Sequence, residues 1–282
     1  MSTIKKNNKQ IWLEKFDCFS IMGKDSKRFL NGITTGSISD LNKNVLKTCW
    51  LSPNGIIKAL LEINCLDNQL EVIVFEGNTY EIKEYFNQII FPSDDVSLSD
   101  TFLINRVQQI DDKNSWKINQ PIFFRNEDKQ YDLYKNNPKI INTNDLQLWR
   151  INQAIPSLNC EINGKNNPLE LGLTDLIDFN KGCYLGQETM SKIRNASSLK
   201  QEIRIWTSED KVFNLESESK NIYNNQNKEK TVGYITSIYK LDSQIIKGLA
   251  MIKRKYLDTE NSFFSDNLEQ ISIDKSLGST FL

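Results

Sequence analysis

Three short apolar runs between residues 45 and 75, separated by tight turns, constrain the fold of this chain most strongly. The runs are VLKTCWL (45–51), IIKALLEI (56–63) and LEVIVF (70–75), and the turns between them are SPNG (52–55) and DNQ (67–69). Apolar segments of this length, bounded by Gly, Pro, Asn and Asp, are typical of antiparallel strands. Residues 45–75 are therefore predicted to form a three-stranded meander.

The segments on either side of the meander add a strand and two helices. FDCFSIM (16–22) is predicted to be a strand, and residues 25–31 a short helix that begins at Asp25 and Ser26. Apolar residues recur at helical spacing from Ile82 to Ile90, before Pro92. Elements of these kinds in this order predict an antiparallel α+β fold.

Short strands separated by polar turns dominate the last third of the chain. The predicted strands are EIRIWT (202–207), TVGYITSI (231–238) and IIKGLAMIK (245–253), with a polar loop at 217–230. Such a pattern is typical of a small barrel or sandwich. A domain boundary is therefore predicted near residue 199, and the polar residues 108–145 are predicted to be a strand-poor connection.

Composition excludes several classes of active site. The chain has 282 residues, enough for two or three hydrophobic cores, and it has no histidine. Ser-His-Asp and Cys-His nucleophilic sites and imidazole-ligated metals are therefore excluded. The five cysteines include no Cys-x-x-Cys pair, so we predict neither a disulfide framework nor a metal held by this chain alone. Acid–base chemistry falls to carboxylates, Lys, Tyr or Cys.

Charge and hydropathy limit the expected partners. The net charge of −1 gives no overall basic excess, so any contact with RNA requires a local patch. No run of 18 apolar residues predicts a membrane span, and the start MSTIKKNNKQ lacks the apolar segment of a secretory signal. We therefore expect a cytoplasmic protein with no membrane contact. No glycine-rich motif indicates a dinucleotide or nucleoside triphosphate site.

The segment IDFNKGCYLGQETMSKIRNASSLK (177–200) carries the clearest chemical signal. Gly182 and Gly186 bracket Cys183 and allow a tight turn, and residues 187–194 are predicted to be a short helix. The positive end of that helix, together with Lys181, favours a thiolate at Cys183. An alternative stays open, because a single cysteine is more often a small buried apolar side chain.

KGCYLGQE (181–188) closely resembles the K-G-C-Y-x-G-Q-E motif of the YgfZ/GcvT-like folate-binding family. That family is related to the aminomethyltransferase (T-protein) of the glycine cleavage system and to mitochondrial iron–sulfur assembly factors. Weaker resemblance extends over most of the chain, in IMGKDSKRFLNGITT (21–35), SPNGIIKALLEI (52–63), RINQAIP (150–156), PLELGL (168–173), TVGYITSI (231–238) and KGLAMIKR (247–254).

The sequence departs from the family pattern at positions that bear on catalysis. Ile56 stands where the family usually has Arg, Ala154 where it has Gly, and Gly36-Ser37 where it often has Asn-Asp. The stretch aligned with the catalytic aspartates of the glycine-cleavage enzyme reads KAL (58–60). Aminomethyl transfer then lacks its expected proton-handling group, so glycine-cleavage activity is not predicted.

The resemblance implies an aminomethyltransferase folate-binding fold with antiparallel sheets, arranged as a ring of three domains around a channel for tetrahydrofolate. The implied domains are a folate-binding domain (1–44 plus 146–199), an inserted α+β domain (45–145) and a C-terminal β-barrel (200–282).

The resemblance also implies site residues. Cys183 and Lys181 are expected to be catalytic, and the expected folate contacts are Phe16, Trp149, Arg150, Glu170, Tyr184, Gln187 and Glu188. Such side chains suit a flat pterin with an anionic tail, which needs aromatic walls, a carboxylate or amide, and a basic group. Taken singly, Phe16 and Trp149 also suit a core, and Arg150 a salt bridge.

Three functions remain open. The first is a monomeric, tetrahydrofolate-binding accessory protein for iron–sulfur client enzymes, including ones that act on tRNA, with Cys183 essential. The second is a folate-dependent, aminomethyltransferase-like transferase of one-carbon units, which needs Glu170 or Glu188 for proton transfer. The third is a binding module with a vestigial folate site that contacts protein or RNA through its basic stretches, which otherwise form solvated faces. These stretches contain Lys192, Arg194, Lys200, Arg204, Lys253, Arg254 and Lys255.

Overall fold

The chain forms two compact units in a computed structural model. The model describes residues 10–38, 41, 44–66, 69–110, 116–117, 119–125, 139–195, 199–209, 220–241, 245–257, 262–266 and 270–274. The first unit comprises Met1–Leu51, Lys58–Leu146 and Asp175–Leu185, and the second Ser52–Ile57, Gln147–Thr174 and Gly186–Leu282. The chain start discussed above and parts of the polar segments 108–145 and 217–230 lie outside the described residues.

The first unit is built on a sheet with β1 near its centre. Its described strands are β1 (Gln10–Met22), β2 (Leu46–Leu51), β3 (Ile57–Leu66), β4 (Gln69–Glu76), β5 (Ser97–Leu98), β6 (Phe102–Ile110), β7 (Ile122–Phe124) and β8 (Lys139–Ile140). Their order is β2-β3-β4-β1-β6-β7, and β5 and β8 also pair with β1. Strands β2, β3 and β4 confirm the predicted meander.

Strand β1 is longer than the sequence pattern indicates. It begins at Gln10, six residues before the predicted start, and runs through the charged pair Glu14 and Lys15. Antiparallel pairing with β6 extends from Gln10 to Cys18 and holds this half of the strand. Backbone hydrogen bonds therefore continue the strand through a stretch whose exposed, charged side chains do not predict one.

Two helices cover one face of this sheet. They are α1 (Ser26–Ile33) and α2 (Thr79–Ile89), and both confirm the predicted helices. The Asn78 side chain caps α2 by accepting from Glu81 N, which satisfies a backbone donor left free at a helix start. Phe86 meets Phe29 edge to face at a centroid distance of 5.8 Å, inside an apolar core that stabilises the unit.

The second unit contains a closed barrel. Its described strands are β9 (Gln201–Ser208), β10 (Asn221–Tyr223), β11 (Thr231–Lys240), β12 (Ile246–Lys253), β13 (Phe263–Phe264) and β14 (Gln270–Ile273). They close in the order β10-β11-β12-β9-β14-β13. Trp206, Ile222 and Val232 are fully buried in its interior. The C-terminal barrel predicted above is confirmed.

Two further helices complete the described elements that matter for the site. They are α3 (Thr143–Asn152) and α4 (Gln187–Asn195), and α4 confirms the helix predicted after the motif cysteine.

One sheet joins strands from residues 10–22 with strands from residues 46–124. The division into three domains and its ring-like arrangement stay predictions. None of the described helices has the length and apolar character needed to cross a membrane.

Candidate functional site

The loop that carries Cys183 is fastened to the first unit on both sides of the cysteine. Asp178 N donates to Thr35 O at 2.9 Å, and Leu185 N donates to Gly32 O at 3.0 Å. These two N–H groups belong to no helix or strand, so they donate instead to carbonyl groups at the end of α1 and just after it. Cys183 therefore lies in a short segment that is anchored at both ends.

Cys183 is exposed, unlike the other four cysteines. Cys18 and Cys49 are buried, Cys65 and Cys160 are half-buried, and all five thiols are free. The alternative interpretation of Cys183 as a buried apolar side chain is therefore wrong. Helix α4 begins four residues later, at Gln187. Stabilisation of a Cys183 thiolate by that helix stays a prediction.

Lys181 is held by backbone carbonyl groups. Its Nζ donates to Thr34 O at 2.8 Å and to Gly36 O at 2.6 Å, which uses two of the three donors of an ammonium group. Burial lowers the pKa of Lys181 from 10.5 to about 8, although the nearby Asp178 carboxylate acts in the opposite direction. The amine therefore exchanges a proton near neutral pH, where an ordinary lysine stays charged.

Tyr184 brings a buried hydroxyl to the same loop. Its ring centroid lies 5.4 Å from Lys181 Nζ, within the range of a cation–π contact. Burial, with help from Cys49 and Asp178, raises the pKa of Tyr184 to about 12, so the hydroxyl stays protonated. Among the described residues no group forms a hydrogen bond with this hydroxyl. A buried donor without a partner is costly and is a position where a ligand atom can bind.

Phe16 belongs to an aromatic cluster on β1 and β4. The half-buried ring stacks on Phe75 at a centroid distance of 5.6 Å and an interplanar angle of 13°, and it meets Trp12 edge-on at 6.1 Å. These contacts are sufficient to explain the ring as part of the interior of the unit. A pterin contact at Phe16 stays a prediction.

The same cluster surrounds a buried ion pair that the sequence analysis missed. Arg106 on β6 donates from Nε and Nη2 to Glu62 on β3 at 2.7 and 2.8 Å, and both side chains are at most 1% exposed. The guanidinium carbon lies 4.6 Å from the Trp12 ring centroid and 5.0 Å from that of Phe75. The signal in the sequence was a single Glu inside the apolar run IIKALLEI, but its partner was not apparent.

Lys47 adds a second cation beside this pair. It is 6% exposed, and its Nζ donates to Asn119 O at 2.8 Å. Burial lowers the pKa of Lys47 to about 8; the Glu62 charge raises it and the Arg106 charge lowers it further. The Glu62 charge thus forms an ion pair with Arg106 and attracts Lys47, so its loss removes a favourable interaction from both basic groups.

In the second unit, Glu170 is a buried carboxyl with a perturbed affinity for protons. It is 8% exposed, and its Oε2 accepts from Asn167 N at 3.2 Å. Burial raises the pKa of Glu170, while Asn167, Gln201 and the charge of Lys200 act against that rise. A carboxyl of this kind suits proton transfer or donation of a hydrogen bond to an anion.

Glu170 lines a cavity of about 920 Å³ that lies within the second unit. Its walls mix three aliphatic side chains with amides and basic groups, and they include Ile56, where the family pattern has Arg. The basic residues on the walls are Lys165, Lys200, Lys253, Arg254 and Lys255. Two of the separate basic stretches in the sequence thus meet at one cavity.

The remaining predicted folate contacts also lie in the second unit. Trp149 and Arg150 are on α3, the first buried and the second half-buried. Gln187 opens α4 and is half-buried, whereas Glu188 is exposed and pairs with Lys192 at 2.6 Å. Their roles toward folate stay predictions.

The stretch that replaces the catalytic aspartates has no acidic group. Lys58 is exposed, and Ala59 and Leu60 are buried in β3. Within the described part of the chain, no three Cys, Asp or Glu residues are grouped closely enough to hold a metal ion.

Comparison with solved structures establishes the fold. The crystal structure of glycine cleavage system aminomethyltransferase T from Bartonella henselae matches with a TM-score of 0.70, over 95% of this chain and 85% of that chain. The chain has the fold of this aminomethyltransferase. The two sequences are 9% identical, so the match extends to the fold alone. It confirms the predicted α+β architecture with antiparallel sheets and a C-terminal barrel.

Sequence comparison finds weaker relationships. The chain is 41% identical over 54 residues to "Putative transferase At1g60990, chloroplastic" of Arabidopsis thaliana, a match that spans 19% of this chain and 12% of the plant protein's length. It is 22% identical over 269 residues to an uncharacterized protein of Haemophilus influenzae, which spans 90% of this chain and 91% of that protein. No family model matches the sequence.

Proposed function

We propose that this chain binds tetrahydrofolate and acts through Cys183 as a cytoplasmic, monomeric accessory protein of the YgfZ type, for iron–sulfur enzymes that include tRNA-modifying ones. The observation that carries the proposal is the exposure of Cys183 in an anchored loop that holds the motif KGCYLGQE. The aminomethyltransferase fold supports folate as the ligand.

The residues of the motif loop fit such a role in chemical terms. The unpartnered Tyr184 hydroxyl offers a hydrogen bond to a polar edge of a ligand, and it stays protonated because burial raises the pKa of Tyr184. Burial lowers the pKa of Lys181 to about 8, so this amine suits proton transfer near neutral pH. Tetrahydrofolate, when bound, supplies one-carbon or reducing chemistry.

A titration of tetrahydrofolate against tryptophan fluorescence tests ligand binding. We expect saturable quenching in the full chain and a smaller signal in Trp149→Phe, because Trp149 is the tryptophan expected to contact folate. Tyr184→Phe, which removes the unpartnered hydroxyl and keeps the ring, should weaken binding. The absence of saturable quenching in the parent protein would refute folate binding.

Alkylation by iodoacetamide tests the role of the cysteine. Cys183 should react faster than a free thiol at neutral pH, and Cys183→Ser should abolish the fast phase. Cys160→Ser is the matched control, because Cys160 is half-buried and its removal should leave the fast phase unchanged. Labelling of Cys183 at the rate of a free thiol would contradict the proposed role.

A second candidate function is a folate-dependent transfer of one-carbon units, and Glu170 favours it. This buried carboxyl lines a ligand-sized cavity and has a raised pKa, as a proton-transfer group requires. Glu170→Gln should then lower turnover strongly, whereas Glu188→Gln, on the exposed surface of α4, should not. If neither substitution changes turnover, this candidate loses its mechanism.

A further inference from the structure

The cavity of the second unit has a strong excess of basic groups. Among the residues that the structure describes, five Lys and Arg side chains line it, against one carboxyl, that of Glu170. Within the described residues, no carboxylate forms an ion pair with Lys165, Lys200 or Lys255. Arrays of unpaired cations around a concavity raise the local concentration of anions.

The neutralising groups that do exist are shared. Arg254 Nε lies 3.3 Å from Glu202 Oε1, but the other oxygen of Glu202 is engaged by Arg204. Lys253 Nζ donates to a backbone carbonyl, that of Thr231, at 2.6 Å. Since one carboxylate serves two guanidinium groups and a carbonyl carries no full charge, the cavity keeps its positive balance.

The shape and the remaining walls indicate the size and kind of the ligand. A volume of about 920 Å³ is typical of a site for a small molecule or a short segment of one. Ile56, Ile193 and Leu199 supply an aliphatic wall, and Asn54, Asn167 and Gln201 supply amide groups. No aromatic side chain lines the cavity among the described residues, so it lacks the stacking platform that single-stranded nucleic acid uses.

We propose that this cavity, defined by Lys165, Lys200, Lys253, Arg254, Lys255 and Glu170, binds a small polyanion with two or more phosphate or carboxylate groups on a short chain. The five basic groups bind the anionic groups, and the aliphatic wall contacts the chain between them. Glu170 Oε2 accepts a hydrogen bond from Asn167 N at 3.2 Å, which offsets part of the repulsion between this carboxyl and an anionic ligand. The cavity shares Glu170 with the second candidate function, but the proposal does not rest on folate binding, because ligands without a pterin test it and its failure is therefore distinguishable from a failure to bind folate.

Isothermal titration calorimetry of the full chain with inorganic tripolyphosphate and, separately, with a tri-glutamate peptide tests the proposal. We expect one saturable site for at least one ligand at low salt, and weaker binding at physiological salt because screening acts on the charges. Tighter binding of tripolyphosphate identifies phosphates as the natural groups, and tighter binding of tri-glutamate identifies carboxylates. If neither ligand binds at low salt, the proposal is wrong.

Double substitutions inside and outside the cavity distinguish binding at this site from nonspecific attraction of anions to the basic surface. Lys165→Gln/Lys255→Gln should weaken binding about tenfold, equivalent to about 1.4 kcal/mol. The control Lys220→Gln/Lys240→Gln removes the same charge from exposed residues of the same unit outside the cavity and should change the affinity less than about twofold. Equal weakening in both pairs, or tighter binding of a single-stranded oligonucleotide than of tripolyphosphate, would overturn the proposal. The melting temperatures of both variants verify that they fold.

Discussion

Replacing Glu62 by Gln tests the buried ion pair of the first unit most directly. The substitution keeps the size of the side chain and removes its charge, while Arg106 remains enclosed by Trp12 and Phe75 and cannot reach water without disturbing both rings. Lys47, which is 6% exposed, loses the attraction of the Glu62 charge at the same time. The perturbation is therefore an uncompensated positive charge in the interior.

The expected magnitude follows from burial and geometry. Unit charges about 4 Å apart interact by about 4 kcal/mol at an effective dielectric constant of about 20. Breaking a fully buried pair by neutralising one partner costs about 3–5 kcal/mol, because the other charge stays desolvated. Arg106 and Glu62 meet both conditions, with two hydrogen bonds and at most 1% exposure. We expect Glu62→Gln to reduce the free energy of unfolding of the first unit by about 3–5 kcal/mol.

Urea denaturation measures this loss. Trp12, Trp50 and Trp116 lie in the first unit and Trp149 and Trp206 in the second, so fluorescence reports the unfolding of both units, and the transition that Glu62→Gln shifts belongs to the first. Because a two-unit chain need not unfold in one step, circular dichroism should be recorded on the same samples.

Two further variants make the test specific. Lys192→Gln removes an ion pair with a similar distance, 2.6 Å, between exposed side chains of α4, and it should leave the unfolding transition unchanged. The double variant Glu62→Leu/Arg106→Met removes both charges and should be more stable than Glu62→Gln. If Glu62→Gln costs no more than Lys192→Gln, the buried pair does not carry the stability assigned to it.

Three more predictions follow from single groups. Burial raises the pKa of Glu170 in the folded protein, so Glu170→Gln should raise the melting temperature at neutral pH. This gain should vanish as the pH falls below 4.5, and an equal gain at both pH values would contradict the raised pKa. Because the pKa of Lys181 is lowered from 10.5 to about 8, stability should rise with pH through that window. Urea titrations should show a smaller rise in Lys181→Met, with the remainder coming from other buried lysines such as Lys47 and Lys117. Gly186 has φ of 83°, so Gly186→Ala should cost about 1–2 kcal/mol, whereas Gly182→Ala, whose added Cβ meets no atom within 4 Å, should melt like the parent.

Local patterns were enough for much of the fold. The meander of β2, β3 and β4 was predictable because apolar runs alternated with turn residues, and α2 because its apolar residues recur at helical spacing. The strands β9, β11 and β12 were predictable for the same reason. Strand β6 and the first half of β1 were not predictable. Each is stabilised by pairing with the other, and the two are too far apart in the chain for a local sequence pattern to indicate the pairing.

Part of the candidate site was likewise predictable from the sequence, and part was not. The sequence by itself identified Cys183 and Lys181, because glycines, a lysine and a helix start lie next to one another in the chain. Only the tertiary structure decided that Cys183 is the exposed cysteine and that Lys181 is bound by the carbonyl groups of residues 34 and 36.

Tertiary structure also decided which charges are buried and which converge. Glu62 and Arg106 are 44 residues apart in the chain, and Lys165 lies far from Lys253–Lys255, so neither the ion pair nor the basic cavity has a signature in any short segment. The physical reason is that periodicity and turn chemistry act between near neighbours, whereas desolvation and Coulomb attraction depend on distances in space that are set once the chain has folded.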